Sequence, residues 1–324
     1  MVSIPERQSY SDQRIVEFSS EIKKSDVVKN QSGLSLYATG SFARGEASKY
    51  SDLDIFLIKD SAYQPNEVTH ADLAQIHADL YRTALAMGFP PFSRDMEFLT
   101  VHKLEDILSV LGSPADDFYN HFTARMLLLL ESSCIFNDMV YENSVSEIIL
   151  AYYRDYHDHR DEFVPLFLVN DIHRYWRTLC LNYEHNRNKV PSNPEEKNKY
   201  HVKNLKLKFS RMLTCFSAII PLSRMGLVAD PDFVRRLTKL RPFQRLQNFA
   251  EEVPSSKPLM EIVQDKYMWF LERNSQPPDE TREWMGDKEH RLEAFGHARV
   301  FRDALFEMLN SAVGDPNRLK LLVL

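Results

Sequence analysis

The stretch from Leu34 to Ile58 constrains this 324-residue chain more than any other. Leu34–Ala38 is a short apolar run of strand length, and Thr39-Gly40-Ser41 reads as a turn after it. Phe42–Ala47 has room for one or two helical turns, and Ser51-Asp52 leads into a second apolar run, Leu53–Ile58, which ends at Lys59-Asp60. Residues two apart on a strand point to the same face. Asp52 and Asp54 therefore place two carboxylates side by side at the start of the second strand. Two unpaired carboxylates that close repel each other until one holds a proton. A divalent cation removes the conflict, and Mg²⁺ in particular favours few carboxylates together with phosphate oxygens.

The turn supplies the complementary part. Gly40 permits close backbone approach and unusual torsions. Backbone N–H groups there, with the Ser41 hydroxyl and the start of the following helix, can hold phosphate oxygens. Arg44 lies in the same loop, where it either reaches a phosphate or pairs at the surface with Glu46. A metal-binding carboxylate pair beside a phosphate cradle is a layout for phosphoryl or nucleotidyl transfer with two metal ions.

Around this segment the N-terminal part alternates strand and helix. Apolar positions Ile15, Phe18, Ile22 and Val27 predict a helix over 9–30. Glu67–Met87 predicts a long amphipathic helix with Gly88 as its C-terminal cap. Pro90-Pro91 enforces a loop, and Met96–Val101 reads as a further strand. Beyond about residue 103 helical patterns dominate: 103–111, 115–132, 143–160, 163–186, 200–220, 231–251, 257–273 and 288–313. Prolines fall between them, and neither an internal repeat nor a low-complexity tract is present. The expected class is α+β, with a small mixed-sheet domain over 1–112 followed by an all-helical domain over 113–324.

The spaced pattern Gly40-Ser41-x-x-x-Gly45, five residues, then Ser51-Asp52-x-Asp54 and an apolar strand resembles the signature of the DNA polymerase beta-like nucleotidyltransferase superfamily. The likeness covers roughly residues 34–101. Members of that superfamily move a nucleoside monophosphate from an NTP to an acceptor hydroxyl or phosphate and release pyrophosphate. The resemblance implies that Gly40 and Ser41 hold the triphosphate and that Asp52 and Asp54 bind two Mg²⁺ ions, for which Mn²⁺ can substitute. It also implies a third carboxylate on a neighbouring strand, which ligates the metal nearer the acceptor and draws off its proton. Asp95 and Glu97 share a face of the candidate strand Arg94–Val101. Glu97 is preferred because it lies within the strand, and Asp95 is the fallback.

The helical part vaguely resembles that of bacterial proteins related to the PII-protein uridylyltransferase. Helices in that position close over the nucleotide and supply the acceptor site. Phe163–Glu184 mixes aromatic and basic residues. Lys203–Arg211 is the densest basic helix, and Lys206 is its candidate for meeting the β- and γ-phosphates, against the plain alternative of an amphipathic surface helix. Two other classes stand beside the transferase reading. One is a nucleotide-binding regulator that has lost catalysis. The other is a ribonuclease similar to the helical HEPN enzymes, using Arg154 and His159 on one helix.

Charge is segregated. Residues 170–250 hold 16 Lys/Arg against 6 Asp/Glu, although the whole chain nets −6. A basic region of this kind suits an anionic partner such as a triphosphate or RNA. The overall acidity disfavours extended duplex binding, and the basic residues form no continuous arm. A protein or small-molecule acceptor is therefore favoured, with RNA kept possible. Cys134, Cys180 and Cys215 are far apart and form no C-x-x-C pair, so reduced thiols in a cytoplasmic protein are expected. The N-terminus lacks an apolar signal core. The run Met126–Leu130, flanked by Arg125 and Glu131, is too short to span a bilayer, so no membrane partner is expected.

Overall fold

The computed structural model describes residues 3–92, 96, 99–158, 160, 163–188 and 193–315. The chain divides into two compact units, Val2–Ala151 and Tyr152–Leu324. The first holds a small mixed sheet with helices and the second is helical, so the fold is α+β.

Helix α1 (Ile4–Ile22) begins where Ser3 caps it. The Ser3 hydroxyl accepts from Glu6 N–H, and the Glu6 carboxylate accepts from Ser3 N–H. This reciprocal arrangement satisfies donors at the start of a helix that have no partner within it. The helix expected over 9–30 thus starts earlier and stops at Ile22. A separate turn, α2 (Asp26–Lys29), follows with Ser25 as its cap. One stripe of α1 is buried from end to end: Arg7, Ser11, Ile15, Phe18 and Ile22.

Four strands follow: β1 (Leu34–Thr39), β2 (Asp54–Lys59), β3 (Val101–Lys103) and β4 (Ser133–Phe136), in sheet order β3-β2-β1-β4. β1 is antiparallel to β2 and β4, whereas β2 and β3 are parallel. The short α3 (Gly40–Ala43) opens the connection from β1 to β2. Helix α4 (His70–Ala86) starts at a Thr69–Asp72 capping box, and Gly88, at φ 75°, stands just beyond its end as expected. Ile15, Phe18 and Ile22 of α1 join Ile76 and Leu80 of α4 against Leu36, Ala38, Ile55 and Leu57. Burying each of the Ile, Leu and Phe side chains among them contributes roughly 1.5–3 kcal/mol. The alternate residues face the other way. There Tyr37 stacks on Phe56 at 5.8 Å, and Phe56 stacks on His102 at 6.1 Å.

The strand expected over Met96–Val101 begins only at Val101. Met96 has a left-handed φ of 66°, and Leu99 N–H donates to its carbonyl at 2.9 Å, which is turn geometry. Past β3 run α5 (Leu104–Ser109), α6 (Ala115–Phe118) and α7 (His121–Leu130), then β4, then α8 (Asp138–Tyr152). The helix expected over 115–132 is therefore broken at Tyr119-Asn120, where Asn120 takes φ 60°. The charges flanking Met126–Leu130 are both buried and paired. Arg125, wholly inside, donates from Nη1 and Nη2 to the two Asp116 carboxylate oxygens at 2.7 Å each.

In the second unit α9 (Leu166–Asn188) and α10 (Pro194–Lys206) precede a π-helical turn at Leu207–Arg211, which runs into α11 (Met212–Leu222). Then come α12 (Pro231–Lys239), α13 (Pro242–Glu252), α14 (Lys257–Arg273), α15 (Pro278–Gly286) and α16 (Lys288–Val313). The helices expected over 257–273 and 288–313 occupy those ranges. The single pattern over 231–251 is two helices, parted where Arg241-Pro242 opens the second. The π turn widens the helix by one residue per turn. It falls where Phe209 enters an aromatic cluster, 4.8 Å from Phe270 and 4.9 Å from Phe301.

Candidate active site

The register Thr39↔Asp54 places the end of β1 opposite the start of β2. The turn and the carboxylate pair, thirteen residues apart in sequence, therefore meet at one end of the sheet. Gly40 has φ 69°, and a Cβ built on it would lie 2.9 Å from Asp54 Oδ2. Both the torsion and the approach require glycine. Asp52 is exposed, Leu53 is buried and Asp54 is half-buried, the alternation of an extended chain whose middle residue anchors in the core. β3 runs parallel to β2, so the chain enters β3 from this same end. Asp95 and Glu97, the candidates for a third carboxylate, lie outside the described residues.

The loop between the two strands is tightly held. Arg44 N–H donates to Gly40 O at 3.0 Å, Gly45 N–H to Phe42 O at 3.1 Å and Glu46 N–H to Ser41 O at 2.8 Å. Thr39 supplies no side-chain cap to α3. A helix start otherwise needs partners for its first N–H groups. Ser41 itself is half-buried. Further on, Ser48 N–H donates to Ser51 Oγ at 3.0 Å and Ser51 N–H returns to Ser48 O at 3.0 Å, which closes the turn just before Asp52.

Arg44 turns inward. Its Nε donates to Glu46 Oε2 at 2.8 Å and its Nη1 to Glu131 Oε2 at 2.6 Å, with all three side chains buried. The pairing with Glu46 is thus present, but in the interior rather than at the surface. Two buried residues of α1 clamp the same loop. Arg7 Nη1 donates to Glu46 O at 3.0 Å, and Ser11 Oγ accepts from Ala47 N–H at 3.1 Å. Sequence reasoning missed Arg7, Ser11 and Glu131. The signal for the first two was their place in line with Ile15, Phe18 and Ile22 on one helical stripe.

Lys206 is exposed in the last turn of α10 and belongs to the second unit. Its neighbour Lys208 is half-buried over the Phe295 ring at 5.9 Å, so the basic stretch does not present all its lysines to one side. Arg154 sits in a turn after α8 ends at Tyr152, not on the helix expected over 143–160, and His159 lies outside the described residues. Arg154 is therefore not on the helix on which the ribonuclease reading places it.

Among the described residues no group of three or more His, Cys, Asp or Glu side chains is placed to hold a metal ion. Asp54 opens β2 and the exposed Asp52 precedes it by two residues, with a glycine where any side chain would fill the space beside the Asp54 carboxylate. That donor set fits a hard cation whose remaining ligands are phosphate oxygens and water.

A glycine turn thus lies beside the carboxylate that opens β2, with a second carboxylate two residues before it, at one end of a small mixed sheet. Residues 20–121 match the nucleotidyltransferase domain family, which supports the likeness of the first unit to the polymerase beta-like nucleotidyltransferase superfamily. The match ends at residue 121, about a third of the chain in extent, and does not reach the second unit. No curated protein and no solved structure matches the chain. Among the described residues no helix is long and apolar enough to cross a membrane.

Proposed function

We propose that this protein transfers a nucleoside monophosphate from an NTP, ATP among them, to an acceptor hydroxyl or phosphate. The approach of Asp54 to Gly40, so close that a Cβ built on the glycine would lie 2.9 Å from Asp54 Oδ2, carries the reading. It sets a carboxylate directly beside the turn whose N–H groups and Ser41 hydroxyl would hold the triphosphate. Asp52 and Asp54 would hold Mg²⁺, which when bound offsets the negative charge of the phosphates and of the leaving group. Gly40 and Ser41 orient the β- and γ-phosphates so that the α-phosphorus faces the acceptor. The acceptor oxygen attacks that phosphorus in line, the bond to the β-bridging oxygen breaks and pyrophosphate departs. The acceptor proton passes to a carboxylate base, for which Glu97 is the candidate and Asp95 the fallback. Positioning and charge stabilisation account for most of the acceleration in such transfers.

A protein or small-molecule acceptor is favoured over RNA, since the second unit's basic residues are dispersed over several helices. Radiolabelled NTPs, incubated with the protein, Mg²⁺ and cell extract, test the reading. Label should move to a protein, a small product or an RNA, which identifies the acceptor class, and pyrophosphate should appear. Asp52→Asn together with Asp54→Asn should abolish the transfer and leave the melting profile of the protein close to that of the wild type. NTP binding without transfer under any condition would instead identify a nucleotide-binding regulator.

A further inference from the structure

We propose that a pocket in the second unit, between the end of α11, α12 and α13, binds a small organic phosphate with an apolar or aromatic body. The cavity is about 400 Å³, a size suited to a small molecule. Arg224, Arg236, Lys239 and Arg245 line it, and among the described lining residues Glu252 is the sole carboxylate. Glu252 is engaged with Arg224 in an ion pair. Arg236, exposed on α12, has no ion pair among the described residues. Arg245 is 2% exposed and donates from Nε to Leu237 O at 2.9 Å, which fixes the plane of its guanidinium at the pocket wall.

The lining holds four cationic side chains and a single carboxylate, so among the lining residues positive charge exceeds negative, which favours an anion in the space between them. Guanidinium forks match the paired oxygens of a phosphate. The remaining wall is apolar, with Phe233, Leu237 and Phe249 among its members, so it accommodates a ring or alkyl body rather than a bare ion. The site also gives a role to part of the basic excess over 170–250, which the transfer reaction leaves unexplained. The inference does not depend on nucleotidyl transfer, because every residue it uses lies within the second unit.

Calorimetric titration of the full chain tests it, with AMP and naphthyl phosphate as organic phosphates and with inorganic phosphate and adenosine as the separated halves. Both organic phosphates should bind, and each half alone should bind about tenfold more weakly or less. Arg236→Glu together with Lys239→Glu, both at exposed positions, should weaken the organic phosphates by about tenfold or more while the melting profile is kept. The Asp52→Asn/Asp54→Asn protein should bind them as the wild type does. Unchanged affinity in the Arg236→Glu/Lys239→Glu variant, or no binding by any of the four compounds, would overturn the proposal. So would inorganic phosphate binding as tightly as AMP. Loss of both organic phosphates in the Asp52→Asn/Asp54→Asn variant would move the binding to the first unit and overturn it equally.

Discussion

Gly40 lies so close to Asp54 that a single added methyl group would sit 2.9 Å from the Asp54 carboxylate oxygen Oδ2. Gly40→Ala must therefore move the turn, the carboxylate or both, and it also forces an L side chain into φ 69°. The torsion alone costs about 1–2 kcal/mol. The displacement acts on catalysis, where a shift of about 1 Å can cost roughly a hundredfold. The expected variant is folded, slightly less stable, and about a hundredfold slower in NMP transfer. Transfer at the wild-type rate by Gly40→Ala would show that the turn does not hold the triphosphate.

Arg44 separates two roles that the sequence left open. Its buried pairs with Glu46 and Glu131 make it part of the frame that fixes the loop after Gly40. Removing one partner of a buried charge network costs about 3–5 kcal/mol, because the charges left behind stay desolvated. Arg44→Met is expected to lower the denaturation midpoint strongly, and any loss of activity should follow the loss of folded protein. A variant as stable as the wild type but with a raised KM for NTP would mean that Arg44 swings out to a phosphate.

Asp116 and Arg125 provide a comparison with Arg44 as a second buried ion pair of the first unit. Both side chains are wholly buried and meet through two parallel contacts of 2.7 Å. Asp116→Ala leaves the Arg125 guanidinium buried without this carboxylate, at a cost of about 3–5 kcal/mol. Asp116→Ala/Arg125→Met should recover part of that loss, since no orphaned charge remains. Equal stability of the single and double variants in chemical denaturation would argue against the pair as the source of the penalty.

The parts of this fold that were legible in the sequence are those with strong local signals. Leu34–Ala38 and Leu53–Ile58 are apolar runs between turn residues, and the glycine, serine and aspartates lie at fixed distances along one segment. Pairing of Thr39 with Asp54 then brings them together. The α14 and α16 patterns were clear because their apolar spacing continues unbroken to a Gly or Asn terminus. What stayed hidden depends on tertiary partners. β4 is four residues long, follows an apolar helix without a Gly or Pro signal, and exists because the edge of β1 offers it backbone partners. The inward turn of Arg44 depends on Glu131, which lies 87 residues away. Arg7 and Ser11 read as surface residues of a helix until the loop they clamp is seen beside them.

His102 links the frame of the first unit to pH. It stacks on Phe56, whose strand begins at Asp54, and its Nδ1 lies 3.4 Å from His121 Nδ1, with Thr100 Oγ1 3.5 Å from Nε2. Burial, reinforced by the neighbouring His121, pushes its imidazolium down to about 4 from the ordinary 6.5. Burial also lowers His121, partly countered by Asp106 and Asp116. The folded state therefore holds His102 neutral where the unfolded chain already takes up a proton. Its contribution is fully present above pH 6.5 and is lost as pH falls from there towards 4, by about 3 kcal/mol in total. Denaturant unfolding at several pH values across that window should show stability falling with acidity. In His102→Phe, which keeps the ring stack but cannot titrate, the slope should be shallower by close to one proton, about 1.4 kcal/mol per pH unit. Equal slopes in the two proteins would mean that His102 is solvated in the folded protein despite its packing against Phe56.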